Sequence, residues 1–248
     1  MADTVTRAGN ALAFHASPGT APGIVFLGGY NSDMTGTKAV ALEAWARSQG
    51  RAFLRLDYSG HGASGGTFAA GSIGDWAEDA RAVIAHATDG PQVLVGSSMG
   101  GWIALLLARR EPARVAGLVT IAAAPDFTED GFWAGFTADQ RVDLFEKGHV
   151  LLPSEYGEPT RVTRHLIEEG RRQFVLRSPL SLPFPVRMLQ GTADADVPVA
   201  TALRLFGHAD SPDMRLTLVD DADHRFSTPD CLTLIEQSVA EVLERVAA

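Results

Sequence analysis

Ser98, Asp194 and His224 are the residues of this chain whose types and local settings suit nucleophilic catalysis. A serine hydroxyl attacks a carbonyl well only when a base takes its proton, and an imidazole does this best when a carboxylate orients it. Ser98 is the centre of Gly96-Ser97-Ser98-Met99-Gly100, a pentapeptide of Gly-x-Ser-x-Gly form. In that form, glycines flank the serine because a strained strand-to-helix turn leaves no room for side chains. The pattern alone is weak, and Gly62-Ala63-Ser64-Gly65-Gly66 also fits it. Context separates the two. Val93-Leu94-Val95 runs straight into Ser98 and a strongly apolar helical stretch follows, whereas Ser64 leads into 67–71 with no immediate helix. Ser98 is the expected nucleophile and Ser64 a loop residue.

A helix starting at Ser98 or Met99 leaves free backbone N–H groups and the positive end of its dipole beside the nucleophile. Met99 N–H is therefore expected to stabilise an oxyanion, with Tyr30 N–H, from the turn Leu27-Gly28-Gly29-Tyr30, as the second donor. The alternative is that Gly28-Gly29 only makes a tight turn. Of the seven histidines, His224 is favoured as base, because it follows a strand in the loop Asp220-Asp221-Ala222-Asp223-His224. His61, in another loop after a strand, is its main competitor. His15, His86 and His208 fall at ordinary strand or helix positions, and His149 and His165 in an irregular segment. The orienting acid is expected in Gly191-Thr192-Ala193-Asp194-Ala195-Asp196; Asp194 is favoured, since Asp196 directly before Val197-Pro198 suits capping the next helix. Ser, Asp, His is the chain order this chemistry has on a strand–turn–helix scaffold.

The elements that must position these residues alternate. After a short N-terminal region, strands are expected at 24–27, 52–57, 92–95, 115–122, 186–190 and 214–219, with helices at 38–49, 73–87, 103–110, 199–207 and 232–246. Such alternation predicts an α/β fold, a mostly parallel sheet with helices on both faces, which binds ligands at the carboxyl ends of its strands. Between 126 and 183 the rhythm breaks into aromatic and charged helical pieces. The expected organisation is thus a core of 1–125 and 184–248 with 126–183 inserted as a cap.

Composition bounds the function. With 248 residues and 46% hydrophobic content, the chain can bury one substantial core. Thirty acids against twenty-one bases, a formal charge of −9 without a basic block, argue against nucleic acid as a partner. No stretch approaches the ~20 apolar residues of a membrane span, and the opening residues, with Asp3 among them, read as neither secretory signal nor presequence. The single cysteine, Cys231, excludes an internal disulfide and a cysteine-based metal site and fits a reducing compartment, so a cytoplasmic location is expected.

Several stretches together resemble the α/β-hydrolase superfamily, and within it the acyl-protein thioesterase and acyl-glucuronide esterase branch known from mitochondria. They are Leu27-Gly28-Gly29-Tyr30-Asn31-Ser32-Asp33-Met34, Arg55-Leu56-Asp57-Tyr58-Ser59-Gly60, Val95-Gly96-Ser97-Ser98-Met99-Gly100-Gly101-Trp102 and Ser211-Pro212-Asp213, with Ser98, Asp194 and His224 retained. The resemblance implies an α/β-hydrolase fold and hydrolysis of small-molecule esters or thioesters, or of acylated protein, through an acyl-enzyme, without metal or organic cofactor. Two features depart from it. No presequence is recognisable, so the mitochondrial location is not carried over, and Gly28-Gly29 stands where many hydrolases have His-Gly.

The inserted segment opens with Phe132, Trp133 and Phe136, which are expected either to line an acyl pocket above Ser98 or only to pack the cap onto the sheet. Arg161, Arg164, Arg171 and Arg172 could attract an anionic substrate, though a solvated face explains them more simply. Rival readings remain. Gly60-His61-Gly62-Ala63-Ser64-Gly65 satisfies a dinucleotide fingerprint, but its helix begins only near 73, too late to meet a pyrophosphate. A non-catalytic receptor, a carbon–carbon bond hydrolase and a peptidase can be built on the same scaffold.

Overall fold

The computed structural model describes residues 2–153 and 159–247. The chain opens with β1 (Asp3–Arg7) and β2 (Asn10–Ser17), an antiparallel pair joined through Ala8 and Gly9, both at positive φ. Two such residues form the mirror-image turn that matches strand twist. No element was expected there, because Ala-Gly lacks the Asn-Gly signature of that turn. β3 (Thr20–Leu27), α1 (Thr37–Ser48), β4 (Arg51–Leu56), α2 (Ile73–Ala87), β5 (Gln92–Ser97), α3 (Met99–Arg110) and β6 (Val115–Ile121) then alternate.

The expected all-helical reading of 126–183 needs correction. That span holds a π-helical turn (Thr128–Trp133), α4 (Ala138–Glu146), an antiparallel hairpin of β7 (His149–Leu152) and β8 (Thr160–Thr163), α5 (Arg164–Gly170) and the short β9 (Leu180–Ser181). The part of it at 154–158 lies outside the described residues. Alternation resumes with β10 (Val186–Gly191), α6 (Val199–His208), β11 (Ala209–Asp210), β12 (Met214–Val219) and α7 (Pro229–Ala247).

Among the described residues the main sheet has eight strands in the order β1-β2-β4-β3-β5-β6-β10-β12. From β4 to β12 all pairings are parallel, and β2 joins β4 antiparallel. The central strand β5 is buried along its whole length, as expected of a parallel strand covered on both faces. One apolar layer packs α2 and α3 on one face, around Trp76, Trp102 and Leu106. The opposite layer packs α1 and α7 through Leu42, Ile235 and Val239.

The 126–183 span is tied into this body at both ends. Asp126, fully buried and at positive φ, accepts from Val175 N–H (2.8 Å) and Leu176 N–H (3.1 Å) and pairs with Arg177, so the span's exit is clasped to its entry. Leu144, Val150, Val162, Leu166 and Ile167 belong to the same apolar cluster as Trp76 and Trp102.

Candidate active site

β5 ends one residue before Ser98, and α3 begins one residue after it. Ser98 makes the turn between them at φ +55° and ψ −119°. For a residue with a Cβ, such backbone costs about 1–3 kcal/mol, so its surroundings must hold it. They do. Ser98 N–H donates to Ile121 C=O (2.9 Å), and Ser98 C=O accepts from Gly101 N–H (2.9 Å) and Ala124 N–H (3.1 Å). Glycine is required on both sides: a Cβ on Gly96 would overlap the Gly100 carbonyl oxygen, and one on Gly100 would overlap that of Leu27.

His224 and Asp194 reach Ser98 from two neighbouring loops. Ser98 Oγ lies 3.1 Å from His224 Nε2, and His224 Nδ1 lies 2.9 Å from Asp194 Oδ2. A carboxylate only accepts, so Nδ1 carries the ring proton and Nε2 is left bare to accept from the serine hydroxyl. The loops after β10 and β12 are laced together: Ala193 N–H donates to Ala222 C=O (3.1 Å) and Asp221 N–H to Thr192 Oγ1 (2.8 Å). Lys38 Nζ reaches over from α1 to the carbonyl of Arg225, next to the histidine.

Asp194 is nearly buried, and burial alone would push its carboxyl pKa up. Hydrogen bonds from His224, Val197 N–H and Gln190 outweigh that and hold it below its ordinary value. Asp194 Oδ1 accepts from Asp196 N–H (2.9 Å) and Val197 N–H (2.8 Å); Oδ2 takes Gln190 Nε2 (2.9 Å) besides the imidazole. Asp196 does not have the helix-capping place expected of it, since the N-cap of α6 is Pro198, with no side-chain cap. Asp194, Asp196 and His224 offer ligand atoms within 4.8 Å of one another. The hydrogen bonds just described already engage both Asp194 oxygens and both imidazole nitrogens, so this cluster is poorly suited to a metal ion.

The other candidates fall elsewhere. Ser64 Oγ accepts from Ala13 N–H (2.8 Å) and donates to Asp57 C=O (2.7 Å), a structural bracket. His61 is buried against Tyr58, Phe68 and Trp76, with Nδ1 3.2 Å from Ser59 C=O. Burial pushes its pKa down, and among the described residues its Nε2 has no partner.

The turn carrying Tyr30 passes directly over the nucleophile: a Cβ on Gly29 would stand 3.4 Å from Ser98 Cβ. The Tyr30 ring is held edge-on by Phe68, Trp76, Phe127 and Phe132 at centroid distances of 4.8–5.9 Å, and its hydroxyl donates to Arg161 C=O (3.3 Å). Burial pushes that phenol's pKa up. Met99 N–H, at the first position of α3, has no intrahelical acceptor.

The three aromatics of the inserted segment join one apolar cluster and differ in their neighbours. Phe132 packs on Tyr30, beside the nucleophile turn. Trp133 lies between the guanidinium groups of Arg141 and Arg171 and contacts Phe136 and Phe145, and Phe136 is buried. Of the four arginines, Arg164 pairs with Glu168 and Arg171 with Glu129. In sequence, Gln190 stands only at the end of the strand expected at 186–190, and its link to the acid is not evident. The sequence signal for it is an amide inside the otherwise apolar run Met188-Leu189-Gln190-Gly191, four residues before the acid.

Comparison with known proteins gives the family. The family described as Serine aminopeptidase, S33, matches residues 21–168. The mouse protein named palmitoyl-protein thioesterase ABHD10, mitochondrial, is 35% identical over 238 residues, covering 95% of this chain and 80% of the relative. Its human counterpart is 34% identical, with coverage of 95% and 78%. A crystal structure of a putative hydrolase from Agrobacterium vitis S4 superposes with a TM-score of 0.91 at 42% identity, covering 98% of this chain and 97% of that one. Mouse alpha/beta hydrolase domain-containing protein 10 superposes with a TM-score of 0.91 at 33% identity over 99% of each chain. By these matches the chain belongs to the α/β-hydrolase family.

Proposed function

We propose that this chain hydrolyses carboxylic esters and thioesters through an acyl-enzyme, with Ser98 as nucleophile, His224 as base and Asp194 as its orienting acid. The observation that carries this reading is the relay of 3.1 and 2.9 Å from Ser98 Oγ through His224 to Asp194, ending on a strained serine at a helix N-terminus. His224 Nε2 takes the hydroxyl proton as Oγ bonds to the acyl carbon. The carbonyl oxygen becomes an anion facing Met99 N–H and Tyr30 N–H, where the dipole of α3 adds to its stabilisation. The imidazolium then protonates the departing alkoxide or thiolate. Water, deprotonated by the same nitrogen, attacks the acyl carbon, and Ser98 leaves with its proton restored. Asp194 stays ionised throughout.

The 126–183 span acts as the cap in this reading. Phe132 borders the acyl side in this reading, which its contact with Tyr30 supports, and Trp133 and Phe136, in contact with each other, continue the same apolar lining. The relatives named palmitoyl-protein thioesterases support long-chain acyl thioesters, acylated protein included, as the substrate class. A single cysteine, Cys231, fits a reducing compartment, which we read as the cytoplasm, while the relatives just described are named mitochondrial. Among the described residues no helix is long and apolar enough to cross a membrane.

The test is a chain-length series of p-nitrophenyl esters and acyl thioesters, run beside peptide anilides because the matching family is described for aminopeptidases. Esters and thioesters turn over, a fluorophosphonate labels Ser98, and Ser98→Ala loses roughly 10³- to 10⁶-fold in kcat while substrate binding persists. Undiminished turnover in Ser98→Ala sinks the assignment. A wild-type protein that resists labelling favours a non-catalytic receptor, and turnover confined to the anilides makes it a peptidase.

A further inference from the structure

We infer that Gln190 is a positioning residue for the proton relay, holding the Asp194 carboxylate by its side-chain amide and limiting how strongly that carboxylate attracts the imidazolium of His224. The inference rests on the reading of Ser98, His224 and Asp194 as the reacting relay.

Gln190 sits near the end of β10 with no exposed surface. Its Nε2 faces three oxygens: Asp194 Oδ2 at 2.9 Å, Val197 C=O at 3.0 Å and Gly191 C=O at 3.2 Å. All three only accept, so the amide has one workable orientation, with nitrogen toward the acid. The other end is left short: among the described residues Gln190 Oε1 has no partner. A buried polar atom without a partner is costly, and an apolar side chain of this length would avoid that cost, so packing alone does not account for an amide here.

The bond matters because of which oxygen it meets. Asp194 Oδ2 is also the oxygen that accepts from His224 Nδ1. A neutral donor on that oxygen withdraws part of its charge, while the bond to Val197 C=O holds the loop on which Asp194 stands. Removing the donor concentrates the negative charge beside the ring. The protonated ring is then favoured in the free enzyme, and the acid limb of the kcat/KM profile must move to higher pH. Poorer aim of the ring must also slow acylation.

The experiment compares Gln190→Leu, Gln190→Met and Gln190→His with the wild type. It reads pH profiles on one p-nitrophenyl ester, the rate of fluorophosphonate labelling of Ser98, and the melting temperature. In Leu and Met we expect kcat and the labelling rate roughly tenfold lower, as for one hydrogen bond to a charged group, KM within about twofold, and the acid limb moved up. Histidine, which can present a ring N–H to the same oxygen, restores part of both. A wild type that is not labelled removes the underlying reading. A wild type that is labelled, with variants that fold but leave the limb in place, overturns the positioning role, whether or not their melting temperatures fall. Methionine keeps the length of glutamine and serves should leucine fail to fold.

Discussion

Asp194 concentrates the electrostatics of the site in one carboxylate. Its hydrogen bonds outweigh burial, so its folded pKa lies below the ordinary value. For an acid with a depressed folded pKa, the stabilisation is complete above the unfolded pKa and is lost as pH falls through the folded one. Asp194→Asn should therefore abolish part of the acid-side loss of stability seen in wild type, as followed by urea midpoints from pH 7 to 3. Its larger effect is on turnover. An amide at this place can donate to Nδ1, which leaves the proton on Nε2 and no acceptor for the serine. A fall of about 10⁴-fold in kcat is expected. An Asp194→Asn enzyme within tenfold of wild type would show that the imidazole needs no orienting acid.

At the scale of elements, the base depends on a helix far from it in sequence. Lys38, on α1, is half-buried and donates to the Arg225 carbonyl, with Asp223, Asp194, Arg225 and Cys231 among the titratable or charged groups facing it. Burial is the dominant cause of its pKa, lowered to about 8 from 10.5. The sign is that of a base depressed by folding. Below pH 8 both states carry the charge and the folded one is penalised; between about 8 and 10.5 the penalty relaxes and stability rises with pH. Lys38→Met should remove that rise relative to wild type, read as denaturation midpoints at pH 7.5, 9 and 10.5. An identical rise in the variant assigns it to other groups. Loss of the tether should also lower kcat at neutral pH more than it raises KM.

For the whole molecule, the question is whether the span over the site folds with the sheet or apart from it. Trp102, fully buried, packs on Phe127, and its indole N–H donates to Gln173 C=O (3.1 Å). It thus joins the helix after the nucleophile to the inserted segment. The shared apolar cluster predicts one cooperative unfolding transition for both parts. Trp102→Ala is expected to cost about 3–5 kcal/mol, seen as a lower denaturant midpoint with fluorescence and circular dichroism still coincident. Two separated transitions in the wild type would refute the single-unit account.

Much of this protein was legible in its chain because the decisive signals are local. The turn at Ser98 needs an apolar strand before it, glycines around it and an apolar helix after it, and all three are contiguous in sequence. Periodicity likewise marked the helix at 73–87 and the strand at 214–219 where the structure has them. The β1–β2 pair and the β7–β8 hairpin are not legible because strands with mixed faces carry little period and neither turn has a strong sequence signature. Which histidine meets the serine depends on topology, and only folding brings Ser98 Oγ to 3.1 Å from His224 Nε2. The same holds for Gln190 and Lys38. Local sequence can specify how a residue's own backbone bends, but a side chain's partner across the fold depends on the sum of every turn between them, and that sum exists only in the tertiary structure.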